Sequence, residues 1–239
     1  MKASIIFSFF LLFGRMTALP TDIDSLISRD LEASKILVGS EKIVARATAE
    51  DTSDDVENEL AGECRSVTML FAKGTGETGN LGSGKSPGPA LAAELRKSLG
   101  RDKIAVQGVD YKANVLGFLI GGDLKGSKEL IDLTNEAATK CPDSELVLSG
   151  YSQGAQVVHK AVEELPSEVL PKIKAVVLFG DPFLGDEVGD LPESSVLSIC
   201  NDKDTICHSG LGIKGHLKYP ERAKEAADFI VSKLDAKNP

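Results

Sequence analysis

The stretch Glu145 to Ala155, ELVLSGYSQGA, joins an apolar run of strand type to a pattern of helix type through Gly150-Tyr151-Ser152-Gln153-Gly154. That is G-x-S-x-G set between a strand and a helix. Such a turn forces the serine backbone into a strained conformation, and glycine on both flanks keeps side chains away from the hydroxyl. Ser152 is therefore the candidate nucleophile. The same five residues would also serve as a plain glycine-rich turn, and it is the flanking strand and helix that favour the chemical reading.

Outward from this turn, Val67 to Ala72, Ile104 to Val109, Leu146 to Ser149, Ala175 to Phe179 and Val196 to Ile199 are short apolar runs typical of strands buried on both faces. Between and after them lie helix-type patterns over Ala90 to Leu99, Ser127 to Lys140, Gln153 to Leu165 and Glu221 to Leu234. Alternation of this kind predicts an α/β fold, three-layered, with a mostly parallel sheet between helices and a ligand site at the carboxyl ends of the strands. Residues 61–239 are enough for one domain with a full core.

The chain before this body divides in two. Met1-Lys2 and the apolar Ile5 to Phe13 form a basic head and a stretch too brief to span a bilayer, ending near Thr17-Ala18. Residues 1–18 read as a secretory signal peptide, and the protein is expected outside the cell. Residues 19–60 hold 11 Asp+Glu against 4 Lys+Arg, the pattern of an acidic propeptide or disordered arm. The formal net charge of −9 is concentrated there, leaving the body mildly acidic and without the clustered basic surface a nucleic-acid partner requires.

An exported chain with the even set Cys64, Cys141, Cys200 and Cys207 points to disulfides rather than to metal or redox chemistry. Three pairings are possible. Cys200 and Cys207 close a small loop readily, which leaves Cys64 for Cys141. No pair of cysteines or histidines has zinc spacing.

The loop after the first strand carries two nucleotide-like patterns, Gly74 to Gly79 as G-x-G-x-x-G and Gly79 to Ser86 (GNLGSGKS) as a phosphate loop, with Asp181 as a conceivable magnesium ligand. Three features count against nucleotide binding: Lys85 lies far past the strand end, Pro87 and Pro89 are expected to break the helix that should start there, and export leads away from nucleotides. An acyl-transfer serine gives the loop another use. Its oxyanion needs one N–H from the residue after the nucleophile and another donor from a neighbouring strand end, which are Gln153 and Thr75. For a base, the body offers His159, inside the helix after Ser152, His208, beside Cys207, and His216, in a glycine-containing loop ahead of the last helix. His216 is the best placed. Asp204, between Cys200 and Cys207, is the orienting acid, with Asp202 its nearest rival, and Ser152, Asp204, His216 is the chain order of α/β-hydrolases.

Taken together, Cys64, AKGTGETGNLG (72 to 82), CPDSELVLSGYSQGA (141 to 155), CNDKDTIC (200 to 207) and GHLKYP (215 to 220) resemble the fungal cutinases over the body from about Cys64 to Leu234. The resemblance implies a lidless α/β-hydrolase with a five-stranded core sheet, a Ser152, Asp204, His216 triad and an oxyanion hole from Thr75 and Gln153. It also implies disulfides Cys64–Cys141 and Cys200–Cys207, no metal or cofactor, and a monomer acting on a polyester or small ester at an apolar surface. Acetylxylan esterases and general short-chain esterases or lipases share the broader fold, and a noncatalytic binding protein is the distant alternative. Two departures stand out. The segment after Tyr111, KANVLGFLIGGDLKG, is apolar and short against the pattern, and the sequence assigns no partner to the Thr75 hydroxyl. The apolar residues Val115 to Ile120 and Leu211 to Leu217 are candidates for the mouth of the site.

Overall fold

The computed structural model describes residues 64–83, 86–208, 210 and 212–234. The predicted signal peptide, the acidic arm, Lys85 and Leu211 lie outside the described residues. Five strands, β1 (Val67–Ala72), β2 (Ile104–Gly108), β3 (Glu145–Tyr151), β4 (Ile173–Phe179) and β5 (Val196–Ile199), pair in the order β2-β1-β3-β4-β5. Every pairing is parallel. The helices are α1 (Pro87–Leu99), the short α2 (Val115–Leu119), α3 (Leu124–Lys140), α4 (Gln153–Glu164) and α5 (Ala223–Lys233).

Side chains alternate across each strand, so the apolar runs feed two cores. On one face Leu70, Leu146, Leu148, Val176 and Leu178 pack with Leu130 and Leu133 of α3 and Val157, Val158 and Ala161 of α4. On the other, Met69, Phe71, Val147, Val177 and Phe179 meet Leu91 and Leu95 of α1 and Ala226, Ala227 and Ile230 of α5. This is the three-layer α/β/α arrangement expected from runs without alternation, because both faces of the central strands are covered.

The helix starts differ from expectation in an instructive way. Pro87 and Pro89 do not break α1. They occupy its first turn, where a backbone N–H has no intrahelical acceptor and is not missed, and Ser86 caps the end by accepting from the Gly88 N–H at 3.3 Å. α3 begins at Leu124, three residues ahead of Ser127, because the Asp123 carboxylate accepts from the N–H groups of Lys125 and Gly126, both at 2.9 Å. His216 opens a 3-10 turn, His216–Arg222, that runs straight into α5.

Candidate active site

Parallel strands place all their carboxyl ends along one edge, and here that edge gathers residues far apart in sequence. Ala72 lies beside Gly150, and Tyr151 beside Phe179. The loops that follow therefore leave the sheet together: Lys73 to Gly79 from β1, Ser152 from β3, Gly180 to Phe183 from β4 and Cys200 to Cys207 from β5.

Ser152 has φ 56° and ψ −117°, the strained elbow expected of it, and its N–H donates to the Phe179 carbonyl at 2.9 Å. The turn can be this sharp because α4 comes very close to β1. A Cβ on Gly154 would lie 1.9 Å from the Ala72 carbonyl oxygen, and one on Gly150 would lie 2.3 Å from that of Gly154. Gln153 is the first residue of α4, where a backbone N–H has no acceptor within the helix.

Asp204 is 2 % exposed and its two oxygens are engaged. Oδ2 accepts from His216 Nδ1 at 2.7 Å and from the Tyr219 hydroxyl, and Oδ1 accepts from the Ile206 N–H at 3.0 Å. Burial alone pushes this carboxyl up, but the hydrogen bonds and charge of His216, with those of Tyr219 and Ile206, outweigh it and hold Asp204 below its ordinary range. A carboxylate so fixed keeps the proton on Nδ1 and leaves Nε2 of His216 with its lone pair. The imidazole packs on Tyr151, the neighbour of Ser152, with ring centroids 5.0 Å apart, and the Tyr151 hydroxyl donates to the His216 carbonyl at 2.9 Å. Gly180 sits beneath it at φ 56°, where a Cβ would come within 2.7 Å of His216 Cε1.

Thr75 is half-buried at the mouth of the β1 loop, and its Oγ1 accepts from Gln153 Nε2 at 2.9 Å. The loop is braced from behind. Glu77 accepts from the Gly74 N–H at 2.7 Å and the Ser86 hydroxyl at 3.3 Å, and burial pushes its carboxyl up to about 7 against the pull of those bonds and of Lys73. The buried Lys73 donates to the Gly79 carbonyl at 2.6 Å, while the Tyr111 hydroxyl donates to the Lys73 carbonyl.

The rival residues fall elsewhere. His159 is buried, bonded through Nε2 to Asp181 at 3.0 Å and near the Glu187 carbonyl at 3.2 Å, so it is a structural helix residue as expected. Asp181 is committed to that imidazole and to the Phe183 N–H at 2.9 Å. His208 and Asp202 are exposed. Both disulfides form, Cys64 to Cys141 and Cys200 to Cys207. Cys200, Asp204 and Cys207 lie close enough together to share a metal ion, but the two sulfurs are bonded to each other and offer no thiolate. Sequence reasoning missed Tyr219, Tyr151 and Glu77 as parts of this site. Tyr219 stood inside the quoted GHLKYP block, yet nothing in a sequence says that a tyrosine three residues after a histidine turns back onto its carboxylate.

A family model described as cutinase matches residues 63–234. The chain belongs to the cutinase family. Among curated relatives, this cutinase-family chain is 51% identical over 178 residues to a cutinase of Blumeria hordei, covering 74% of this chain and 75% of that one. It is 44% identical over 168 residues to a cutinase of Botryotinia fuckeliana, covering 70% and 82%. Among solved structures, a Trichoderma reesei cutinase in complex with a C11Y4 phosphonate inhibitor superposes with a TM-score of 0.68 at 36% identity, covering 89% of each chain. An acetylxylan esterase at 18% identity and TM-score 0.57, covering 72% of this chain and 99% of that one, shares the fold. Among the described residues of this family member, no helix is long and apolar enough to cross a membrane.

Proposed function

We propose that this protein is a secreted, monomeric serine esterase that hydrolyses carboxylic esters, those of cutin and related short-to-medium-chain esters above all. The observation that carries the catalytic assignment is the buried His216–Asp204 hydrogen bond of 2.7 Å, stacked against the strand whose next residue is the strained Ser152. His216 Nε2 takes the Ser152 proton as the hydroxyl oxygen bonds to the ester carbonyl carbon. The carbonyl oxygen becomes an oxyanion that the Thr75 hydroxyl and the Gln153 N–H stabilise. Collapse of the tetrahedral intermediate breaks the ester C–O bond, and the proton on His216 goes to the departing alcohol. Water then enters by the same route, giving its proton to His216 and its oxygen to the acyl carbon, and the acid leaves with Ser152 restored. Asp204 keeps its charge throughout and steadies the imidazolium.

Cutin, rather than a small soluble ester alone, is supported by the family's name and by the apolar rim beside the oxyanion corner. Leu116, Leu119, Ile120 and Leu124 are exposed by 49% to 65%, on and just after α2, whose Gly117 packs against the Gln153 side chain. Secretion is supported by the signal-like residues 1–18 and by two disulfides. Initial rates on p-nitrophenyl esters of graded chain length, beside monomer release from cutin and acetate release from xylan, test the reading. Fastest turnover on short-to-medium acyl chains with release from cutin supports it, whereas acetate release from xylan without cutin monomers overturns the substrate.

A further inference from the structure

We infer that the side-chain amide of Gln153 is a positioning group that sets the direction of the Thr75 hydroxyl proton, an assignment that rests on the oxyanion role given above to Thr75. Gln153 is fully buried. Its Nε2 donates to the Asn114 carbonyl at 2.7 Å and to Thr75 Oγ1 at 2.9 Å. A backbone carbonyl only accepts, so the Asn114 contact requires the nitrogen of the amide, not its oxygen, to face this corner. One amide hydrogen then lies on Asn114 and the other on Thr75, which casts the hydroxyl as acceptor. Its own hydrogen is left for a third group, and the acceptor the reaction supplies is the substrate carbonyl oxygen as it turns negative. Threonine restricts the rotor further through its branched Cβ.

The corner that dictates this polarity is built to hold still. Ala113 is fully buried at φ 47°, a left-handed conformation that disfavours any residue with a Cβ. Its carbonyl accepts from the Gly76 N–H at 2.7 Å, in the oxyanion loop, and the next carbonyl, that of Asn114, accepts from Gln153. Asn114 Oδ1 in turn caps α2 by accepting from the Gly117 N–H at 2.9 Å. Two successive carbonyls thus fix the loop after β1 and the residue after Ser152 to one point. The far end of the amide gains nothing: Gln153 Oε1 is buried with no hydrogen-bond partner among the described residues, and a Cβ on Gly117 would come within 2.7 Å of it. A side chain that leaves its oxygen unsatisfied is held there by what its nitrogen does.

The test is a set of four variants, Thr75→Val, Gln153→Met, Gln153→Glu and Thr75→Val/Gln153→Met, with kcat and KM on a soluble p-nitrophenyl ester. Sites are counted by phosphonate titration, so that loss of folded protein is not read as loss of kcat. Thr75→Val is expected to lose ~10²-fold in kcat, the cost of deleting one oxyanion donor. Gln153→Met loses at least ~10-fold of that with KM little changed, and the double variant is no slower than Thr75→Val, because the amide acts only through the hydroxyl. Gln153→Glu has the same shape but puts an acceptor where the donor was, so the Thr75 proton turns toward it and kcat falls further than in Gln153→Met. Additive losses in the double variant overturn the positioning role, as does wild-type kcat in both Gln153 variants while Thr75→Val is slow. Either result leaves the oxyanion assignment standing. A Thr75→Val enzyme with wild-type kcat removes that assignment itself.

Discussion

At Ser152 a residue with a Cβ sits at φ 56°, a conformation of the kind that costs about 1–3 kcal/mol and persists only where the surroundings impose it. The imposing contacts are the N–H bond to Phe179 and the glycine-to-carbonyl approaches on either side. Ser152→Ala is expected to abolish phosphonate labelling and to lower kcat by on the order of 10⁴-fold or more, with little change in Tm because alanine inherits the strain. Ser152→Gly should be equally inactive and more stable than Ser152→Ala. Labelling that survives on another serine would reassign the nucleophile. Glu77 makes a different single-residue statement. Its folded value, about 7, lies above its ordinary 4.5, so between these pH values the native state holds more protons than the unfolded chain. Stability is therefore lost as pH rises from about 4.5 through 7 and is flat above. The Tm of Glu77→Gln relative to wild type should climb across that window, and two parallel curves would refute the assignment. Ser152, Asp204 and His216, to which the proposed mechanism assigns the reaction, could be named from the sequence because a turn motif, a short list of histidines and a chain order constrain one another, and the structure brings the last two within 2.7 Å. Tyr219 and the Gln153 amide could not, since side-chain partners across long sequence separations leave no local pattern.

The elements follow a similar division. The five strands were readable because each is a short apolar run, four of them almost wholly buried and the edge strand β5 only partly so, and their ends agree with the sequence to within one or two residues. The helix α2 was not read at all, because five residues are too few to show a 3.6-residue period and its start depends on the Asn114 cap. The start of α1 was misjudged because proline was weighed as a breaker, although its effect depends on position within the helix. Packing of α4 on the sheet carries a testable asymmetry. Leu148→Ala leaves a void in the core between the sheet and α4, and should cost about 2–5 kcal/mol while sparing kcat per folded site. Gly154→Ala instead adds a methyl 1.9 Å from the Ala72 carbonyl, so α4 must move away from β1 and take the Gln153 N–H with it. Its kcat should fall by at least ~10²-fold, in line with a displacement of about 1 Å at a reacting centre. Urea unfolding beside kcat on both variants decides it, and a Gly154→Ala enzyme with normal kcat would mean that the elbow tolerates more space than its contacts suggest.

For the whole molecule, the two disulfides differ in the length of chain they enclose. Cys64–Cys141 closes a loop with a sequence separation of 77, and Cys200–Cys207 one of 7. Loop entropy alone assigns the first about 4.5 kcal/mol and the second about 2.4 kcal/mol. The short bridge, however, encloses Asp204, with Cys207 Sγ 3.5 Å from its Oδ2. The variant Cys200→Ser/Cys207→Ser should lose kcat/KM more steeply than Tm, and Cys64→Ser/Cys141→Ser the reverse. Equal activity losses at equal destabilisation would show that the short bridge has no special part in catalysis.

The strand order β2-β1-β3-β4-β5 has a consequence for the newborn chain. After β2 has been laid on one side of β1, each later strand joins the opposite edge, so the sheet grows outward in the direction of synthesis. The elbow at Ser152 and the loop at Thr75 come early, Asp204 follows the last strand, and the 3-10 turn bearing His216 comes after every strand has been made. On the assignment above, a ribosome-bound chain can hold a complete sheet with its serine in place and still lack the base that would make that serine reactive. On that same assignment hydrolysis waits for the segment His216 to Lys233, and the serine stays unreactive toward esters until α5 has been made and has docked.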